Sequence, residues 1–174
     1  MPKKPLSAEP TCNSASNAQR DAPVLIELVA LGVPAPQGNK TSYPVRRGRL
    51  GRIGVAVVEG RTKKARENHA HWRMLVALSA QEWLQAHPAF TPIDDAVYCG
   101  ALFILPRPTS LPKRHTLPTR RPDLSKLLRS IEDSLTGLIY TDDSRITTEH
   151  VRKRFVNAQH PVPGVIIRIS PDSL

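Results

Sequence analysis

The sequence has few cysteines, few acidic residues and no long apolar run, and each shortage narrows what the protein can be. Two cysteines in 174 residues exclude a disulfide scaffold and a zinc site built from paired cysteines. No apolar run approaches the ~18 residues that a membrane span needs. The N-terminal lysines are not followed by an apolar core, so we expect no signal peptide and a cytoplasmic location.

Acidic residues are outnumbered by basic ones, and this imbalance favours a polyanionic partner. The chain has 25 Lys and Arg against 15 Asp and Glu, which gives a formal net charge of +10. The basic residues are grouped in three runs, within 46–66, 107–129 and 145–154. A merely solubilising surface is the alternative, but grouped positive charge is typical of proteins that bind nucleic acid.

The order of apolar segments predicts one domain of the α+β class. Residues 1–22 are rich in Ser, Asn, Ala and Pro and are expected to form a disordered tail, which leaves 23–172 for the domain. Segment 33–60 contains several Pro and Gly residues and is predicted to be a long loop. We expect two main helices packed on a mixed β-sheet. The predicted strands are 24–31, 96–105, 138–140, 145–156 and 162–169, and the predicted helices are 62–86 and 125–136.

The segment 120–146 is the most informative part of the sequence. It places Asp123 just before an amphipathic helix, and Asp142 and Asp143 just after the segment that follows the helix. The helix would be about 16 Å long and the extended return about 20 Å. A chain that reverses at Gly137 is therefore predicted to bring the three carboxylates together.

Such a carboxylate cluster predicts a metal site. Three carboxylates in a strongly basic protein are costly unless a divalent cation neutralises them, and Mg²⁺ sites that act on phosphates use carboxylate ligands. The alternative is that Asp123 only caps the helix and that 142–144 is a polar turn.

The same residues resemble the central motif of the RusA-type Holliday junction resolvases. The resemblance covers about residues 25–170. It implies a homodimeric, Mg²⁺-dependent endonuclease, with Mn²⁺ as an alternative ion, that is often encoded by phages or prophages. Such enzymes resolve four-way DNA junctions by paired symmetric nicks in recombination and repair. The segments that carry the resemblance are PDLSKLLRSIEDSLTGLIYTDDSRI at 122–146, GVPAPQGNK at 32–40 and FILPRP at 103–108.

The resemblance also implies roles for individual residues. Three aspartates match the aspartates at the family's catalytic centre and are the implied metal ligands, whereas two basic residues on the helix are placed to clamp the scissile phosphate. Arg129 stands where the family has a lysine and Lys126 where it has an asparagine. The implied catalytic set is Asp123, Asp142, Asp143, Lys126 and Arg129.

One position departs from the family pattern. Ser125 stands where the family has its second catalytic aspartate, so the site has lost one negative charge and its metal affinity should fall. Glu132 or Asp133, two helical turns further along the same face, are the candidates to compensate. Two alternatives therefore stay open: a nuclease for other branched DNA such as flaps and forks, and a junction-binding protein without catalysis.

The remaining predictions concern DNA contacts. The basic residues of segment 33–60, those at the start of the first helix and the arginine pair directly before the second helix are expected to contact phosphates, so binding should weaken steeply with salt. Trp72 and Trp83 lie at helical spacing and are predicted to be core residues rather than stacking platforms for bases. The predicted DNA-binding residues are Lys40, Arg46, Arg47, Arg49, Arg52, Lys63, Lys64, Arg66, Arg120 and Arg121.

Overall fold

The computed structural model describes residues 25–38, 40–47, 52–59 and 62–172. The predicted tail, residues 1–22, lies outside this range. A short 3₁₀ helix at Asp143–Arg145 immediately precedes β5. The elements in chain order are β1 (Ile26–Leu31), β2 (Lys40–Arg47), β3 (Arg52–Glu59), α1 (Lys63–Ala86), β4 (Val97–Leu105), α2 (Leu124–Leu135), β5 (Ile146–Phe155) and β6 (Gly164–Pro171).

Four of these strands form a mixed sheet with the order β1-β6-β4-β5. The pairs β1–β6 and β6–β4 are antiparallel, and β4–β5 is parallel. Helix α1 packs on β1 and on α2, and α2 also packs on β5. The predicted α+β fold, with two helices packed on a mixed sheet, is therefore confirmed.

Both helices owe their position to an apolar face and to clear end signals. Thr62 caps α1, and its hydroxyl oxygen accepts a hydrogen bond from the Ala65 amide at 3.1 Å, which satisfies one of the free N–H groups of the first turn. The buried residues of α2 include Leu127, Ile131 and Leu135, spaced one helical turn apart. Gly137 follows the helix with φ +77°, which only glycine adopts readily, so the predicted stop is confirmed.

Strand alternation gives the sheet two different faces. On β4, Cys99 and Phe103 are buried beneath the helices. Because Cys99 pairs with Glu149 and Phe103 with Lys153 in the parallel register, Glu149 and Lys153 lie on the same, helix-covered face. The side chains at the alternate positions of β4 and β5 lie on the opposite face, which we call the open face.

The unit β4–α2–β5 determines which end of the helix lies near which end of the sheet. A helix that joins two parallel strands runs antiparallel to them, so α2 begins beside the C-terminal end of β4. The Nζ of Lys153, near the end of β5, confirms this by donating to the carbonyls of Arg120 at 3.0 Å and Pro122 at 2.8 Å. The C-terminal end of α2 therefore lies near the start of β5.

Two of the secondary-structure predictions are wrong. Segment 33–60 is not a loop throughout, since β2 and β3 pair as an antiparallel hairpin from Lys40↔Glu59 to Arg47↔Arg52. Its glycines and prolines do not outweigh the pairing of two eight-residue strands, which satisfies the backbone of both. Segment 138–140 is a turn after α2, with Tyr140 making only isolated bridges.

Candidate active site at the two ends of α2

The N-terminal end of α2 carries a partly exposed ion pair. Asp123 occupies the cap position, but its side chain makes no capping hydrogen bond. Its carboxylate instead lies 3.3 Å from Nζ of Lys126, with 52% and 39% of the two side chains exposed. The structure thus does not give Asp123 the capping contact that was the alternative to a ligand role. A second cation, Lys153, lies behind this end because it binds the carbonyl of Pro122.

The C-terminal end of α2 carries several carboxylates close together. The pKa of Glu132 is raised to about 7, first by burial and then by the charge of Glu149, a hydrogen bond to the Glu149 carboxylate, and the charges of Asp143 and Asp133. Oε1 of Glu132 is buried and has no hydrogen-bond partner among the described residues. This end is therefore an environment that a cation would stabilise.

The turn that carries Asp142 and Asp143 is held in place by its neighbours. Oδ1 of Asp142 accepts a hydrogen bond from the Ser144 amide at 2.9 Å, and its bonds with Ser144 hold the pKa of Asp142 below its usual value. Arg145 pairs with Asp94 at 2.9 Å. Asp142 therefore has the turn-stabilising contact that the alternative interpretation predicted. The charge of Asp143, in contrast, acts on Glu132.

The predicted convergence of the three aspartates within one chain is wrong. Among the described residues, no group of three His, Cys, Asp or Glu side chains is placed to hold a metal ion. Asp123 begins α2, whereas Asp143 lies near its C-terminal end, and a helix of 12 residues is about 18 Å long. The cause is the direction of the crossover: the return segment forms a turn and a 3₁₀ helix at the far end of α2 and does not run back along it.

The other residues predicted on α2 are spread along the helix. Ser125 and Arg129 are exposed. The Asp133 carboxylate accepts a hydrogen bond from Nε2 of Gln37 at 2.9 Å, so it is already engaged by the segment after β1. Of the two candidates to compensate for Ser125, only Glu132 lies beside Glu149, and the charge of Asp143 raises its pKa.

The predicted DNA-binding residues fall in three places. The side chains of Lys40, Arg46, Arg47 and Arg52 and the whole of Arg49 lie outside the described residues; the backbone puts the first four on the β2–β3 hairpin. Lys63, Lys64 and Arg66 are exposed on the first turn of α1, and Arg120 and Arg121 are exposed just before α2.

Trp72 lies in the protein interior, as predicted, whereas Trp83 is partly buried at the margin of the core. Trp72 is 1% exposed, and Trp83 packs against the core with its ring stacked on His87 at a centroid distance of 3.9 Å.

Glu149 is a site residue that the sequence reasoning missed. The available signal was its position two residues before the apolar Val151 on β5. That spacing places the Glu149 side chain on the same, helix-covered face of the strand.

The sequence matches one family of known enzymes. The model of the endodeoxyribonuclease RusA family matches residues 48–170, which is more than half of the chain. The chain belongs to the RusA family. The matched range includes β3, both helices, and both ends of α2, so the predicted resemblance is confirmed.

The RusA family is one of endodeoxyribonucleases, which are hydrolases of DNA phosphodiester bonds. No curated protein matches the sequence. Neither α1 nor α2 is long and apolar enough to cross a membrane, and these are the α-helices among the described residues.

Proposed function

We propose that this RusA-family chain is a Mg²⁺-dependent endonuclease that resolves four-way DNA junctions by paired symmetric nicks and acts as a homodimer. The observation that carries the proposal is the family match over 48–170, because it spans the motif with Asp123, Asp142 and Asp143. The net charge of +10 supports a polyanionic substrate.

Lys126 and Arg129 are proposed to bind the scissile phosphate. Both lie on α2, and the N-terminal end of this helix adds its free N–H groups and partial positive charge to their attraction for a phosphate. The Arg129 guanidinium binds phosphate oxygens as a fixed fork, so its role is to hold and orient the group.

A homodimer would also resolve the separation of the aspartates. Two symmetric cuts require two equivalent active sites, which a two-fold dimer supplies. Since one chain holds Asp123 and Asp143 at opposite ends of α2, we propose that Asp123 of one copy meets Asp142 and Asp143 of the second. Three carboxylates from two chains would then form the Mg²⁺ site that the described residues of one chain do not form.

Two rival functions have specific support. The basic surface suits any branched DNA, so flaps and forks are rival substrates. Ser125, in place of an aspartate, favours a protein that binds junctions without cutting them. The ion pair of Asp123 with Lys126 adds to this second rival, because it leaves the N-terminal end with little uncompensated negative charge.

The test is cleavage of a mobile four-way junction, a flap, a fork and plain duplex by the wild type and by Asp143→Asn, with Mg²⁺ and with EDTA. We expect paired nicks in the junction alone, a loss of at least a hundredfold in Asp143→Asn, and no cleavage in EDTA. Asp95→Asn, on the exposed loop before β4, is the matched control and should cleave normally. Equal cleavage of the flap or fork would favour the first rival, and tight binding without cleavage the second.

A further inference from the structure

The open face of the sheet contains a groove with a volume of about 550 Å³. Its floor is formed by Gly100 and Leu102 on β4 and Ile166 on β6, and one side is formed by β5. Gly100 has no side chain, and the Tyr98 ring lies over it, since a Cβ built at Gly100 would be 3.1 Å from the Tyr98 hydroxyl. The floor is therefore flat and shallow, and suited to an extended ligand more than to a small molecule.

Strand alternation divides the basic residues of β5 between the two faces. Arg152 and Arg154 line the groove together with His150, and side chains two residues apart on one face of a strand are about 6.7 Å apart. Lys153, between the two arginines, lies on the helix-covered face and binds the carbonyls near the start of α2. Arg152 and Arg154 therefore point away from α2, and contact with the start of that helix is left to Lys153.

The groove is positively charged, with little internal neutralisation. Arg152 and Arg154 are exposed, and their hydrogen bonds go to the neutral acceptors His150 Nε2 at 2.9 Å and the Lys153 carbonyl at 2.9 Å. Arg168, on β6, is paired with Glu27 at 2.8 Å. None of the described residues that line the groove is acidic.

We propose that this groove binds the phosphate backbone of a DNA arm, through Arg152, Arg154 and, in part, Arg168. The inference rests on the proposed action on DNA and adds a surface outside the α2 site. Because β5 is the outermost strand of the sheet, a single strand separates the groove from Glu149 and the acidic end of α2. A DNA arm held on the open face can therefore continue around the edge of β5 towards that site.

The alternative occupant is a second copy of the chain, because Val29 and Leu31 on the open face are 50% and 59% exposed. A two-fold contact that places the groove against itself would bring Arg152 and Arg154 close to the same arginines of the second copy. Like charges that meet without acidic partners oppose such a contact. The charge of the groove therefore favours DNA.

The test compares the double variant Arg152→Ala/Arg154→Ala with Lys113→Ala/Arg114→Ala, which removes the same charge from an exposed part of the connector before α2. Binding of the full chain to a labelled four-way junction is measured over a salt series. Loss of two phosphate contacts should weaken binding at least tenfold at low salt and make the slope of log K against log salt shallower by about 2. The control should change both quantities much less.

A gain-of-function variant guards against simple misfolding. Glu27→Gln removes the carboxylate that pairs with Arg168 and should tighten binding several-fold with a steeper salt slope. The groove is overturned if the double variant binds as the control does, or if its main effect is a change of oligomeric mass by light scattering. If the groove variants weaken binding although the wild type cuts no junction, the proposed cleavage activity is contradicted, whereas DNA binding by the groove is supported.

Discussion

The two ends of α2 hold the same kinds of side chain in opposite environments. At the N-terminal end, Asp123 is paired with Lys126 and is half exposed. At the C-terminal end, Glu132 is partly buried beside Glu149 and its pKa is raised to about 7. An aspartate that matches a catalytic position of the family is thus charge-balanced and half exposed, whereas Glu132, which matches no catalytic position, carries the stronger electrostatic demand for a cation.

Adding a carboxylate to the N-terminal end of α2 should have the largest effect on activity. Ser125→Asp gives the N-terminal end a second aspartate and an excess of negative charge, so we expect cleavage of a four-way junction to rise about tenfold at low Mg²⁺. Ser125→Asn has nearly the same size without the charge and should give no increase. An equal gain in both variants would show that charge is not the cause. Tight binding without cleavage in both would support the binding-only rival.

The acidic end can be tested through stability. The folded pKa of Glu132, about 7, lies above its reference value of 4.5, so the folded chain holds a proton that the unfolded chain releases earlier. This contribution is fully present below pH 4.5 and is lost as the pH rises through 7. Glu132→Gln removes the dependence and, after allowance for solvent screening, should stabilise the protein by about 1–2 kcal/mol at pH 8.

The measurement is urea unfolding of the wild type, Glu132→Gln and Glu82→Gln from pH 4 to pH 8.5, with EDTA present. Glu82 is exposed on α1, so its variant should follow the wild-type curve. A Glu132→Gln curve parallel to the wild type at every pH would show that Glu132 does not titrate as described.

Much of the fold could be predicted because its signals are local. The apolar spacing of Trp72 and Val76 indicated α1, and Gly137 marked the end of α2 because its φ of +77° requires glycine. The β2–β3 hairpin was missed because Pro44 and Gly54, which indicate a loop in isolation, pair within two strands. That pairing is a property of the two segments together and not of either one.

The error in the site has a different origin. Both the identities and the spacing of Asp123 and Asp143 are local features, but their separation depends on the direction in which α2 crosses between two parallel strands. Segment length alone allowed a return along the helix, whereas the β4–α2–β5 unit places the start of β5 at the far end of α2. Glu149 was missed for the same reason, since its position beside Glu132 requires the register of β5 on β4.

Whether two chains share each active site can be measured by mixing two variants that are each expected to be inactive. Asp123→Asn and Asp143→Asn are combined under conditions that allow subunits to exchange, and cleavage of a four-way junction is followed with Mg²⁺. If Asp123 of one copy works with Asp143 of the second, each mixed dimer has one intact site, and about a quarter of wild-type sites should return as single-strand nicks. Wild-type cleavage with none from the mixture would place both aspartates of each site in the same chain and contradict the shared site.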